Sequence, residues 1–129
     1  MLGQMVAVGV FTDNGGRVLV TRRPPNVYLG GFWEFPGGKQ ELGETILETL
    51  ERELFEELGV QITDAKPLLR IGADNKGNAV HLCVYNILAW IGEPSGLEGQ
   101  PLAWLPPAQL GTLKFPAANA AIIREIMKR

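Results

Sequence analysis

The sequence predicts an α+β domain with a mixed β-sheet lying between helices. Three observations predict it. Strand-like apolar runs are separated by Gly- and Asn-rich turns, a leucine-striped helix occupies the middle of the chain, and a second amphipathic helix closes it. At 129 residues the chain is expected to form one domain, 1–129, large enough for a hydrophobic core and too short for a second. Hydrophobic residues at 46% against 20% charged exclude a disordered chain.

Met5–Phe11 and Arg17–Thr21 read as strands of a hairpin, joined by Asp13-Asn14-Gly15-Gly16. Residues 22–31, RRPPNVYLGG, have the composition of an ordered irregular segment beside a ligand. Residues 32–38 then lead into the central helix. Leu47, Leu50, Leu54 and Leu58 recur at helical spacing, so a helix from about 46 to 58 buries one leucine stripe. Thr45 with Glu48 has the form of a capping box, and Gly59 suits the left-handed residue after a helix. Leu68–Ala73 and Val80–Trp90 read as a second hairpin around 74–78. Residues 92–99 form a loop, Leu102–Leu105 a short strand ended by Pro106-Pro107, and Ala117–Lys128 a helix with Ala121, Ile122 and Ile126 inward.

Several functions are excluded early. The apolar run 79–91 is broken by His81 and Asn86 and is too short to cross a bilayer. Met1-Leu2-Gly3-Gln4 lacks the basic start and apolar stretch of a signal peptide, so a cytoplasmic protein is expected. Cys83 is the single cysteine and cannot form an internal disulfide, in keeping with a reducing compartment. His81 is the single histidine, with no second histidine to make a transition-metal site. A net charge of −2 argues against DNA or RNA as a partner. A small polyanion is a different case, because a bound metal neutralises it locally.

The chemistry is concentrated in residues 38–60. Glu53, Glu56 and Glu57 stand at i, i+3 and i+4, which places three carboxylates on neighbouring positions of one helix face. Such crowding is unfavourable where water is excluded, and a hard divalent cation removes the penalty. Arg52 is placed to pair with Glu48 or Glu56 and to hold the array. A solvated acidic face is the usual meaning of such a charge run taken alone. The wider pattern, G-x5-E-x7-R-E-U-x-E-E-x-G-U with U apolar, is filled by Gly38, Glu44, Arg52, Glu53, Leu54, Glu56, Glu57, Gly59 and Val60. Its seven fixed positions match by chance roughly once in 10⁹ windows.

This stretch resembles the Nudix box in full, and the likeness continues outside it. Thr21-Arg22-Arg23, Glu34 to Lys39, Gly92-Glu93-Pro94, Glu98 to Pro101 with Trp104, and Phe115 to Asn119 all look like the MutT branch of that family. The resemblance implies an α/β/α sandwich and a magnesium-dependent nucleoside triphosphate pyrophosphohydrolase, with manganese as a second metal that fits. The expected substrate is 8-oxo-dGTP, cleaved to 8-oxo-dGMP and pyrophosphate. It further implies metal ligation by the Gly37 carbonyl with Glu53, Glu56, Glu57 and Glu98, and a catalytic set of these glutamates with Arg52. Glu53 is the first choice for general base, with Glu56 or Glu98 as alternatives. Substrate contacts are expected from Arg23, Tyr28, Glu34, Phe35, Pro36, Gly37, Gly38 and Asn119, with Phe35 in the base pocket and Asn119 reading the base. Tyr28 stands where such proteins commonly carry histidine, and 74–78 lacks an arginine that closes over the base. Rival readings are a Nudix enzyme for CTP, 5-methyl-dCTP or nucleotides broadly, and a non-catalytic nucleotide sensor on the same scaffold. No membrane or nucleic acid partner is expected, and a monomer is favoured with a dimer left open.

Overall fold

A computed structural model describes residues 3–75 and 78–129, with side chains described outside 73–79. The strands are β1 (Gln4–Phe11), β2 (Val18–Arg22), β3 (Trp33–Glu34), β4 (Gly37–Lys39), β5 (Gln61–Asn75), β6 (Asn78–Ile91) and β7 (Leu102–Leu105). Helix α1 spans Ile46–Leu58 and α2 Ala120–Met127, the latter preceded by 3₁₀ turns at Pro107–Thr112 and Ala117–Asn119.

One sheet has the order β4-β1-β6-β5 and the other β3-β2-β7. β1 runs parallel to β6 and antiparallel to β4, so the first sheet is mixed, as expected. Strand alternation divides the core. Ala7 and Phe11 of β1 pack with Leu50, Leu54 and Leu58 of α1, while Val8 and Val10 pack with Ile122 and Ile126 of α2. The sheets therefore lie between the two helices, in the expected sandwich. Gly9 sets the spacing on the α1 side, since a Cβ there would stand 3.0 Å from the Leu54 Cδ1.

The helix signals are fulfilled in detail. The Thr45 hydroxyl accepts from the Glu48 amide at 3.1 Å, the Glu48 carboxylate accepts from the Thr45 amide at 2.8 Å, and Gly59 ends α1 at φ 74°. Leu47 departs from the expected stripe. It is 44% exposed, and Ile46 packs against the core in its place.

The first hairpin is corrected. The chain does reverse at 13–16, where the Asp13 amide donates to the Arg17 carbonyl at 2.9 Å, but β1 and β2 enter different sheets, and the isolated bridge Thr12↔Val18 joins β2 only to the residue after β1. Both edges of β1 are already taken, by Gly37 at Val8 on one side and Val84 on the other. The second hairpin is found, with β5 and β6 antiparallel, although β5 begins at Gln61 rather than Leu68. Lys76 and Gly77 of its turn lie outside the described residues. The final helix is shorter than expected because 117–119 is a 3₁₀ turn, and Ala121 is half-buried. Among the described residues no helix is long and apolar enough to cross a membrane.

Candidate active site

The second half of α1 carries Glu53, Glu56 and Glu57 past β4, the strand antiparallel to β1. Gly38 on β4 makes this approach feasible, because a Cβ at that position would overlap the Glu53 carboxylate. Gly37 is equally confined, with a Cβ there running into the carbonyl of Ala7. Gly38 thus brings bare backbone against the carboxylate helix, and Gly37 lets β4 lie close on β1.

Arg52 organises the array, with partners partly different from those expected. Its Nε and Nη2 donate to the two Glu44 oxygens at 2.5 and 3.0 Å, and Nη2 also reaches the Lys39 carbonyl at 3.1 Å. Nη1 donates to Glu53 at 2.9 Å and to Glu56 at 3.4 Å. The Glu56 pairing is therefore present. Glu48 is not a partner, because its carboxylate is spent on the capping box. Glu44 also accepts from the Thr49 hydroxyl at 2.9 Å and the Glu41 amide at 2.9 Å. The Arg52 hydrogen bonds, then the Glu41 amide, outweigh partial burial and hold the Glu44 carboxyl down at about 2.

Glu57 is in the opposite situation. Its Oε2 is the one buried side-chain oxygen without a hydrogen-bond partner among the described residues. Burial first, and then the negative charge of Glu53 with smaller contributions from Glu98 and Glu34, push its carboxyl up to about 9. No three His, Cys, Asp or Glu side chains among the described residues already converge as a metal-ligating group. Glu53 and Glu56 instead each direct an oxygen at Arg52. The donor set nevertheless fits a hard divalent cation: several carboxylate oxygens, close backbone, and one buried oxygen with no donor to face.

A second wall comes from residues 92–101, which return past the end of α1. The Ser95 amide donates to the Leu58 carbonyl at 3.1 Å and the Leu97 amide to that of Glu57 at 3.0 Å. The Gln100 side chain joins both parts: its Nε2 donates to the Glu57 carbonyl at 3.1 Å, while its Oε1 accepts from the Glu98 amide at 2.9 Å. Across from this loop, Arg22, Arg23, Pro24, Pro25 and Gly31 complete a cleft of about 490 Å³ that includes Glu98 and Gln100. The Arg22 Nε donates to the Gly31 carbonyl at 3.0 Å, and its guanidinium lies 5.8 Å from the centre of the Trp33 ring. Arg23 stands 3.5 Å from the Glu34 carboxylate. Burial raises the Glu34 carboxyl, and the Arg23 charge opposes the rise.

At the other end of the 35–38 segment, Phe35 is buried and stacks on Phe115, with ring centres 5.5 Å apart. Pro36 is buried too, its carbonyl accepting from the Gly9 amide at 2.8 Å. Asn119 is 8% exposed, precedes α2, and makes no side-chain capping bond. Tyr28 is 53% exposed on the 22–31 loop. The structure thus sets Glu53 against Gly38, links Glu53 and Glu56 through Arg52, ties Glu98 to α1 through Gln100, and places Phe35 and Asn119 in segments that share the α2-side core. Three contributors were not singled out as site residues from sequence. Glu44 was visible only as a fixed position of the motif, Gln100 as part of Glu-Gly-Gln-Pro, and Phe115 as part of Phe-Pro-Ala-Ala-Asn.

The chain is similar to known proteins over most of its length. Residues 7–125 match the NUDIX domain family. The 8-oxo-dGTP diphosphatase of Haemophilus influenzae is 34% identical over 122 residues, covering 95% of this chain and 90% of that protein. The CTP pyrophosphohydrolase of Escherichia coli is 32% identical over 115 residues, covering 89% and 84% respectively. A solved MutT structure, from work on the Aliivibrio salmonicida and Vibrio cholerae proteins, superposes with a TM-score of 0.85 at 31% identity and covers 97% of both chains. The chain belongs to the Nudix family, and the box at 38–60 lies wholly inside the matched region.

Proposed function

We propose that this Nudix hydrolase cleaves 8-oxo-dGTP to 8-oxo-dGMP and pyrophosphate, removing an oxidised nucleotide from the cytoplasmic pool. The carrying observation is the 35–38 segment. Its start, Phe35, stacks on Phe115 in the segment that leads to Asn119, and its end, Gly38, lies against the Glu53 carboxylate. Three extended residues span at most about 10 Å. A single nucleotide bridges such a distance, with its base at the aromatic end and its phosphates at the carboxylates.

Glu53, Glu56 and Glu57, with the Gly37 carbonyl and Glu98, would hold magnesium, or manganese in its place. When bound, the metal supplies charge neutralisation on the phosphoryl oxygens and acidifies water. Arg52 fixes Glu53 through Nη1, and Glu53 serves as the base that takes the proton of the attacking water. The new P–O bond forms at the β-phosphorus. The bond from that phosphorus to the α–β bridging oxygen breaks, and the oxygen leaves with the monophosphate. Arg23 and Glu34 line the polar side, with Tyr28 on the loop beyond them.

Asn119 supports the base assignment. Oxidation at C8 turns N7 of the purine from an acceptor into an N–H donor and leaves O6 an acceptor, which one asparagine amide matches with its carbonyl and its NH₂. That amide is buried and caps no helix. A second reading, hydrolysis of CTP or 5-methyl-dCTP, is favoured by likeness to the CTP pyrophosphohydrolase.

The test is kcat/KM with magnesium for 8-oxo-dGTP, dGTP, dCTP and 5-methyl-dCTP, scoring pyrophosphate release. A preference of roughly 10³ for 8-oxo-dGTP, about 4 kcal/mol, is expected. Equal rates or a cytidine preference would leave the chemistry and discard the substrate.

A further inference from the structure

The 92–101 loop is held to α1 by main-chain bonds from Ser95 and Leu97, but neither bond involves Glu98 itself. The exposed Glu98 is tied by one contact, its amide donating to the Gln100 Oε1 at 2.9 Å. The same side-chain amide uses its other end on the carbonyl of Glu57 at 3.1 Å. A glutamine amide offers one acceptor and one NH₂ group, and here each has a distinct partner. Those partners belong to two carboxylate residues on different elements. The backbone around the clamp is tight, since a Cβ at Gly96 would overlap the Gln100 carbonyl. To the main-chain bonds of Ser95 and Leu97 the Gln100 side chain therefore adds a link that ties the Glu98 backbone itself to the end of α1.

We infer that Gln100 is a positioning residue for the reaction: its amide holds Glu98 in register with Glu57, so that the loop carboxylate faces the box carboxylates. The inference rests on the reading of Glu98 as part of the site. Methionine at 100 keeps the volume and removes both hydrogen bonds, whereas glutamate keeps the acceptor for the Glu98 amide and replaces the donor with an oxygen facing the Glu57 carbonyl.

The experiment compares Gln100→Met and Gln100→Glu with the unaltered protein in magnesium, using the triphosphate that the unaltered enzyme hydrolyses fastest. Amide hydrogen exchange is followed in parallel in metal-free protein. Expected is a fall in kcat of about 10- to 100-fold for Gln100→Met with little change in KM, the size that small misplacements produce. Gln100→Glu should fall part of the way, and it carries the test if the methionine variant does not fold. Exchange at the Glu98 amide should quicken in Gln100→Met while the Ser95 and Leu97 amides stay protected. In a Glu98→Gln background the methionine change should cost nothing further. Unchanged kcat, an unchanged Glu98 amide, or the same fold-loss with and without the Glu98 carboxylate would each overturn the inference. A neutral Glu98→Gln would also overturn it and would remove Glu98 from the site. Failure of the hydrolysis reading looks different, since the unaltered enzyme would then turn over no triphosphate.

Discussion

Around Glu53 the polar contacts are close in sequence, whereas around Asn119 the contacts join segments far apart and are mostly apolar. Arg52 collects Glu44, Glu53 and Glu56 within a single loop and helix, and Thr45 and Glu48 cap that helix from inside it. At the base end Phe35 meets Phe115, and Val8, Val20 and Ile122 fill the same core. The carboxylate end is thus fixed by charge-assisted hydrogen bonds before any ligand arrives. The base end is fixed by packing, and the Asn119 side chain there makes no capping bond. The difference implies that chemistry and selectivity can be broken separately.

The largest effect belongs at the carboxylate end. Glu57→Gln keeps the size of the side chain and removes a charge that a metal would use. A fall in kcat on the order of 10³, about 4 kcal/mol, is expected, with the ranking of substrates unchanged. Steady-state kinetics over the same four triphosphates checks both parts. Near-normal turnover would remove Glu57 from the metal site, and an altered ranking would mean that the two ends are coupled.

The next largest lies at the base end. Asn119→Ala should reduce the preference for 8-oxo-dGTP over dGTP by ~10- to 100-fold, the ~1–3 kcal/mol of a bidentate base contact. Turnover of dGTP should stay close to that of the unaltered enzyme. Stability provides a control, because loss of a true N-cap asparagine costs about 1 kcal/mol and this one makes no capping bond. A clear drop in urea-unfolding free energy would show that Asn119 serves the helix instead of the base.

The same division explains what the sequence made legible. The capping box, the left-handed Gly59 and three leucines of α1 were readable because each depends on neighbours a few positions away. Asp13-Asn14-Gly15-Gly16 signalled a reversal, which occurs, but a turn does not choose the strand that follows it. The partners of β1 come from 37–39 and 80–87, and no local pattern encodes that competition. Pro67 concealed the first half of β5. It is tolerated there because β5 is an edge strand whose register shifts between Pro67 and Leu69. Leu47 shared the spacing of the stripe, yet Ile46 lies four residues before Leu50 and takes the buried place. Glu44 was overlooked as a partner of Arg52 because it reaches the arginine from the loop before the helix. For the base end, Phe35 and Asn119 were legible by resemblance alone, since the contact of Phe35 with Phe115 requires the whole fold.

The smallest effect separates the two ends by pH. The Glu44 carboxyl is held at about 2, against an ordinary value of 4.5, by the Arg52 hydrogen bonds first and the Glu41 amide and Thr49 hydroxyl after them. A carboxyl depressed in the folded state stabilises the fold above its unfolded value, and the contribution is lost as pH falls through the folded one. It is therefore complete above about pH 4.5 and disappears towards pH 2. Glu44→Gln should flatten this limb, so the urea midpoints of the two proteins differ at pH 5 and approach each other near pH 2. Asn119→Ala should leave the limb unaltered, because no carboxylate is bonded to that side chain. Parallel curves for the Glu44 variant and the unaltered protein would show that Arg52 does not hold this carboxylate in solution. The carboxylate end would then be no more preorganised than the base end.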